Sequence, residues 1–508
     1  MKTYKYLFLL IGLSIIGCSD LEEHPVGLLS PDGFYSTVQD IQTGVDGSLT
    51  HAMNEQIWGR KLSMSLLVRS DMVQLNSEQT YRREMDMHSI TGDNEMVYDP
   101  WRRIWLGIAA ANNTIAGAED VAVDEEVKNP VTAQAYFARA FYYFHLVRLF
   151  GDIPYIDTPI DDLEAASTVG LTSEADVYAN IIADLQFAKT WLPNTQITRS
   201  RPSKAAASSY LALVYLTMAG TSDNTYFQKA FDEAKEVIDN KGVYNLDLDP
   251  DFQTLFNANK IDASLEPIFV LDYNAYEADD NGYDQTAPMT GIRGDDDDQG
   301  WSVLSPTMAV YESFDPDDYR TNVSFQTEAT IGGVTVDYTQ FKISGHEHAK
   351  NSPYIAKYTR YPGPYARSNK RATSHNNSMM RYAEVLLIAA EAGVEIGNPL
   401  ALDYINQVRA RARKGGASTS GGYTEVVIPA STVPADLTSV TVEDVLEERR
   451  VELAFEGKRW YDIKRRKLGD QVFSASGYEG AKPDWNSSVD YDTPIPQDEI
   501  DSNPNIGS

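Results

Sequence analysis

Two stretches of this chain collect the residue types that could hold a polar, ring-shaped ligand without altering it. The first runs from Trp58 through Asp71, Asn76, Tyr81, Arg82 and Arg83. The second holds Tyr276, Tyr283, Asp284, Arg293 and Trp301. An aromatic face gives an apolar platform for the C–H face of a sugar, and planar amide, carboxylate and guanidinium groups can pair with its hydroxyls. Each ring is worth about 0.5 to 1.5 kcal/mol, so two or three make a weak site that can release what it holds. The same residues could also serve as ordinary edge aromatics and surface polars.

Metal and catalytic patterns are weaker. Asp295, Asp296, Asp297 and Asp298 form the densest acidic run and could offer hard oxygen ligands to a structural Ca²⁺. An EF-hand loop is excluded, because Gln299 stands at its fifth position and Pro306 at its twelfth, where a bidentate Glu is required. The alternative is a solvated acidic turn. His346 and His348 lie two apart, but a zinc-protease helix needs its second His at position 350, which is Lys350. No G-x-S-x-G elbow is present. Paired carboxylates for glycoside hydrolysis decide nothing in a chain with 74 acidic residues. No catalytic residue and no cofactor is expected.

The amino terminus states where the chain works. Lys2 and Lys5 precede an apolar stretch from Tyr6 to Gly17, and the only cysteine, Cys18, follows at once. That order is a signal peptide over 1–17, too short to span a bilayer, which takes about 20 apolar residues. Ile15-Ile16-Gly17-Cys18 resembles a bacterial lipobox, so Cys18 is the expected acylation site and 18–30 an acidic tether. Loss of Lys2 and Lys5 deepens the net charge from −31 to −33. Such a surface repels polyanions and excludes nucleic acid as a partner.

The elements that must position these residues are mostly helices. Apolar residues recur at helical spacing after Ser30-Pro31-Asp32 (Phe34, Val38, Ile41, Val45, Leu49), through Trp101 to Ile115, and from Asn129-Pro130 to a stop at Gly151. Three more helices are expected over Ser173 to Leu192, Ser203 to Ala219 and Thr225 to Asn240, joined by short links that suit antiparallel neighbours. The small residues Ala205, Ala206, Ala207 and Ala212 suit tetratricopeptide-like hairpins, although the full repeat signature is absent. Between about Lys241 and Ser378 the helical period fades, leaving short strand-like runs at Ile268 to Leu271 and Thr335 to Tyr338. Helices resume at Met379 to Gly397 and Pro399 to Lys414, then a Gly/Ser/Thr-rich excursion over Gly415 to Gly422. A last capped helix opens at Thr441 with Asp444 three residues on.

Three segments then carry a resemblance. NPVTAQAYFARAFYYFHLVRLFGDIPY from Asn129, EERRVELAFEGKRWYDIKRR from Glu447, and TPIPQDEI from Thr493 resemble the SusD/RagB family of outer-membrane nutrient-binding lipoproteins, in that family's order. The resemblance implies one domain over 31–508. Its mainly α scaffold of tetratricopeptide-like hairpins would fill mostly 31–240 and 379–470, and an irregular, loop-rich part with a few short β-strands mostly 241–378 and 415–440. It further implies a surface-exposed lipoprotein anchored in outer-membrane lipid, capturing a glycan for a SusC-like TonB-dependent transporter barrel. Some members take peptides instead, and a surface glycoside hydrolase is the remaining alternative. The family's binding loops fall in the two stretches named first, but no motif transfers residue by residue. Within the second segment, Glu447 with Arg450 and Asp462 with Arg465 are spaced to pair along a helix, while Val451, Leu453, Phe455, Trp460 and Ile463 face inward, which is the pattern of scaffold.

Overall fold

The computed structural model describes residues 33–76, 79–160, 164, 167–273, 284–296, 300–342, 349–363, 373–420 and 424–506. Twelve helices of seven or more residues carry the architecture among them: α1 (Val38–Thr50), α2 (Lys61–Val68), α3 (Thr80–Met87), α4 (Glu95–Glu119), α5 (Glu125–Phe150), α6 (Glu174–Trp191), α7 (Lys204–Ala219), α8 (Asn224–Asp239), α9 (Tyr382–Glu395), α10 (Leu400–Ala412), α11 (Val442–Glu452) and α12 (Arg459–Arg465). From α4 to α10 each helix packs on the next in chain order. The series is not broken by the long non-helical passage between α8 and α9, because those two helices pack directly together. The scaffold is thus a stack of helix pairs from which residues 240–381 emerge as one excursion.

Local chemistry explains most helix ends. Ser173, Ser203 and Asp223 accept backbone N–H bonds from the first turns of α6, α7 and α8. Thr441 and Asp444 close a reciprocal capping box on α11. The same device, Thr37 with Asp40, starts α1, seven residues later than the Ser30 start expected, so Phe34 precedes the helix. Helix α5 begins at Glu125, before the expected Asn129-Pro130, and carries Pro130 as its sixth residue. It ends where Gly151 takes φ +74°, as the sequence predicted.

Helix α5 is the axis of the core. From Thr132 onward nearly every residue is buried, including Phe137, Phe141 and Phe144, each contributing roughly 1.5 to 3 kcal/mol by removal from water. Gly107 of α4 lets that helix close on the Tyr142 ring of α5; a methyl there would stand 2.5 Å from the ring. Arg139 clamps α5 to α6 through two 2.8 Å bonds to Asp184. Among the described residues fourteen tyrosines are buried, so much of the tyrosine richness of the chain is packing.

The strands are short antiparallel pairs: β1 (Gln74–Leu75) with β3 (Leu304–Ser305), β2 (Pro267–Leu271) with β8 (Asn377–Arg381), β4 (Phe325–Gln326) with β7 (Tyr354–Ile355), β5 (Glu328–Ile331) with β6 (Val334–Asp337), and β9 (Gly416–Ser420) with β10 (Thr424–Ile428). Both expected strands are present. Met379 to Arg381, expected as helix, instead finish β8, because their backbone pairs with β2. The excursion after Gly415 is the β9–β10 hairpin.

The charged segment after Glu447 is scaffold, with a role larger than helix-neighbour pairing. The two expected pairs form, Arg450–Glu447 at 2.6 Å and Arg465–Asp462 at 2.8 Å. Beyond them, Glu452 at the end of α11 is wholly buried and takes bonds from Arg320 (3.0 Å), Arg381 (2.6 Å) and Arg411. Glu266 shares Arg381 and Arg411, both at 2.7 Å; Glu448 and Asp318 hold Arg320; Glu456 holds Arg381 and Lys357. With Arg409 on Glu448, five acids face five bases. A balanced set of this kind is stable only because every buried charge has a partner. The network ties the excursion (Glu266, Asp318, Arg320, Lys357, Arg381) to α10 and α11, so the loops stand on a rigid base.

Candidate functional site

The two stretches, far apart in the chain, are joined. β1 and β3 form a two-residue ladder, Gln74 opposite Ser305 and Leu75 opposite Leu304. It is extended by Asn76 N–H donating to Val303 O (2.8 Å) and Asn76 Nδ2 donating to Ser305 Oγ (3.1 Å). A second tie runs from Gln285 N–H to Gly59 O, 2.8 Å. Residues 229 positions apart in the chain are thereby joined by buried contacts. Leu75, Tyr81 and Trp301 all pack as half-buried side chains against the main core, each with part of its surface open.

Trp301 is presented by a tight backbone crossing. Gly300 passes so close to Gly291 that a methyl on it would stand 2.0 Å from the Gly291 carbonyl carbon, and only glycine fits there. The next residue but one, Ser302, sits in the left-handed region at φ +51°, a conformation that costs of order 1 to 3 kcal/mol and persists only when its surroundings impose it. Four bonds impose it: Gly300 N–H to Ile292 O (3.1 Å), Trp301 N–H to Pro288 O (2.6 Å), Ser302 N–H to Gly291 O (2.9 Å) and Val303 N–H to Met289 O (3.1 Å). Ser302 Oγ in turn accepts from Arg293 N–H at 2.8 Å, fixing the backbone beneath the exposed Arg293 side chain. Ring and guanidinium are carried by one pre-formed turn. These positioning residues were missed in the sequence; the Gly beside the Trp was the one visible sign.

On the facing stretch, Tyr81 is half-buried and its hydroxyl donates to Gln79 Oε1 (2.6 Å). Arg82 is buried, with its guanidinium 5.4 Å from the Tyr81 ring centre. Burial holds that guanidinium below its ordinary pKa. The two stretches therefore offer two half-buried rings, Tyr81 and Trp301, and the exposed guanidinium groups of Arg83 and Arg293.

Other expected ligand residues point inward. Trp58 is 5% exposed, its ring edge-on to His145 at 5.1 Å, and its backbone N–H bonds back to Ala52 O. It lines a cavity of about 40 Å³ together with His375 and Met379, room for a few waters. Asp71 is 1% exposed and gives both oxygens to Arg459 at 2.8 Å. Burial pushes its carboxyl up, but the Arg459 charge and bonds outweigh it and leave the group below the usual carboxylate range. Asn76 is buried in the ladder. Asp284 is fully buried, capping Thr286 N–H at 2.8 Å, and burial pushes its carboxyl up to about 6. These four are thus framework beneath the surface, a correction that no local pattern announced, since Arg459 lies 388 residues from Asp71. Tyr276 and Tyr283 lie outside the described residues.

Of the acidic run, Asp295 is buried and accepts from Gln326 Nε2 (3.0 Å), while Asp296 accepts from Gly333 N–H (2.6 Å) at the β5–β6 turn. Asp295 thus braces β4, and Asp296 the β5–β6 turn. Asp297, Asp298, His346, His348 and Cys18 lie outside the described residues. Among the described residues no cluster of three metal-ligating side chains occurs, and no helix is long and apolar enough to cross a membrane.

Comparison with known proteins gives the same fold and extends along the whole chain. A family model described as the SusD family matches residues 326–507, and one described as starch-binding associating with outer membrane matches 29–216. SusD-like protein P2 of Formosa agariphila is 45% identical over 100% of this chain and 99% of its own. A SusD-like protein of Bacteroides ovatus is 27% identical over 74% of this chain and 66% of its own. Among solved structures, a SusD homolog of Bacteroides thetaiotaomicron superposes with TM-score 0.79 at 19% identity, covering 94% of this chain and 97% of that one. A SusD-like carbohydrate-binding protein of Bacteroides fragilis gives 0.74 at 20% identity, covering 93% and 99%. Nearly half of all positions shared end to end with one relative, on a fold shared with the others, leaves a single conclusion: the chain belongs to the SusD family.

Proposed function

We propose that this protein is a non-catalytic, cell-surface glycan-binding lipoprotein that passes its ligand to a SusC-like TonB-dependent outer-membrane transporter. The observation that supports the reading is the β1–β3 ladder, which pairs Gln74–Leu75, a few residues before Tyr81, with Leu304–Ser305, a few residues after Trp301. Rings set on a rigid base can hold a polysaccharide at low energetic cost, because nothing has to be ordered on binding. Relatives named as SusD-like, and a similar structure named as carbohydrate-binding, support the same reading. The anchor is acylated Cys18, which would keep the protein in outer-membrane lipid while the helical stack docks on the barrel.

Native gels cast with a panel of polysaccharides test the proposal. Retarded migration in at least one gel, with no reducing ends released on prolonged incubation, is the expected result. Release of reducing ends would make the protein a glycoside hydrolase; no retardation on any polysaccharide, with a barrel protein still co-purifying from solubilised membranes, would make it a peptide-binding subunit. Mass spectrometry of the mature amino terminus should find Cys18 acylated.

A further inference from the structure

Residues 473–485 tie to both of the stretches that carry candidate ligand residues. They form a tight loop, closed by Lys482 N–H to Phe473 O and Trp485 N–H to Lys482 O, each 3.1 Å. On one side Tyr478 O accepts from Thr307 Oγ1 at 3.0 Å, just after β3. On the other, the buried Lys482 ammonium donates to Asp86 Oδ1 of α3 at 2.8 Å. The end of α3 is seated in the same loop. His88, in the left-handed region at φ +60°, puts its ring 4.5 Å from Phe473, 5.0 Å from Trp485 and 5.5 Å from Trp460. Neither nitrogen of that ring has a hydrogen-bond partner among the described residues, so packing holds the ring and Lys482 supplies the polar tie. The start of α3 is held separately, by Asn94 Nδ2 donating to Tyr81 O (2.8 Å) and Glu84 Oε2 (2.7 Å).

The polar tie sets one base between two acids. Lys482 Nζ also lies 3.1 Å from Glu479 Oε2, and the side chains of Lys482, Asp86 and Glu479 are only 7%, 13% and 5% exposed, so water screens them little. With one proton on a carboxyl the set is balanced; without it one acid is left over. The charges around it do not correct the imbalance. Asp71, which also faces Glu479, is matched by Arg459, and Arg450, lying over the Tyr478 ring, is matched by Glu447. Burial pushes the Glu479 carboxyl well above the ordinary range, Asp86 and Asp71 reinforce it, and Lys482 opposes it. Burial raises Asp86 too, against Lys482. Burial, with Arg69 and Lys482, holds His88 well below its usual pKa, so it stays neutral.

We propose that Lys482 is a positioning residue: with Tyr478 it straps α3, which carries Tyr81 and Arg83, to the strand after Trp301, and the surplus acid at this tie makes the strap loosen as pH rises. The strap rests on the glycan reading only for what it positions. The sign follows from linkage. A carboxyl raised in the strapped state contributes fully below its ordinary value of about 4.3 and loses that contribution as pH rises through its strapped value. The β1–β3 ladder has no ionisable partner, so this tie is where pH can act on the joined stretches.

Hydrogen–deuterium exchange of the free mature protein, corrected for intrinsic rates, tests the strap without ligand. In Lys482→Met the amides of α3 should exchange about tenfold faster, the weight of one charge-assisted bond, with α4 to α8 unchanged; Lys482→Arg should restore most of the protection. From about pH 6 to about pH 9 the protection of α3 should fall in the wild type and stay level in Glu479→Gln, which cannot lose the proton. Polysaccharide retardation should follow the same pH trend and the same variants. Unchanged α3 exchange in Lys482→Met, loosening that spreads equally through α4 to α8, or a wild-type pH slope kept in Glu479→Gln would each overturn the proposal. Retardation that ignores all three variants while α3 loosens would overturn it as well, because the strap would then position nothing the ligand uses. A wild type that retards on no polysaccharide would instead refute the glycan reading, and the exchange of α3 would still decide the strap.

Discussion

Replacing Glu452 by Gln keeps the shape of the side chain and removes one of ten charges in the buried network. Glu452 contacts three arginines, Arg320, Arg381 and Arg411, and sits with no exposure to solvent. Its neighbour Glu266 can still serve Arg381 and Arg411, but Arg320 keeps only Glu448 and Asp318, and the set is left with a buried cationic excess. Removing one partner from a buried ion pair costs about 3 to 5 kcal/mol. For a chain of 508 residues, an unfolding entropy of about 2.1 cal/mol/K per residue amounts to roughly 1 kcal/mol/K, so the melting temperature should fall by about 3 to 5 °C. The pH dependence supplies a second reading. The three arginines hold the Glu452 carboxyl well below the ordinary range against the opposing effect of burial. Its stabilising contribution is therefore full above the unfolded pKa of about 4.3 and is lost as pH falls through the folded value. Scanning calorimetry from pH 3 to 7 should show the gap between wild type and Glu452→Gln narrowing toward acid. An unchanged melting temperature at pH 7 would refute the claim that the network braces the loops.

Three further outcomes follow from the same contacts. Trp301→Ala should weaken polysaccharide retention by about 0.5 to 1.5 kcal/mol, or roughly two- to tenfold, while barely moving the melting temperature, because the ring is only half-buried; unchanged retention with lost stability would make it a core residue. Gly300→Ala should lower both stability and retention, since its methyl meets the Gly291 backbone, and calorimetry beside affinity gels reads both. Asp284, whose folded carboxyl is raised to about 6, binds a proton more tightly folded than unfolded, so stability should decline as pH rises from about 4 to 6 and level off above; Asp284→Asn should flatten that decline in melting curves.

The scaffold was legible because helices leave a local record. Thr441 with Asp444, Ser173, Ser203 and the stop at Gly151 are written within one turn of where they act. The start of α1 was misplaced because Ser30-Pro31-Asp32 carries start signals as plausible as the Thr37–Asp40 box. Helix α3, TYRREMDM, leaves no clear helical period in the sequence because its polar face dominates and only Arg82 and Met85 are buried. Exposure was legible in part. Of the residues that composition picks out, Tyr81, Arg293 and Trp301 keep open surface, but Trp58, Asp71, Asn76 and Asp284 are buried, and an aromatic or acid says nothing by itself about which way it faces. The clamp at Gly291, Gly300 and Ser302 depends on backbone crossing, which leaves no periodic trace.

Hydrogen–deuterium exchange of the protein with and without a polysaccharide that retards it tests the central claim most directly. Joint protection of 79–83 and 286–305, with the helices α4 to α8 unchanged, is the predicted pattern, because the β1–β3 ladder joins the backbones of the two stretches. Protection confined to one stretch, or falling elsewhere on the fold, would contradict it.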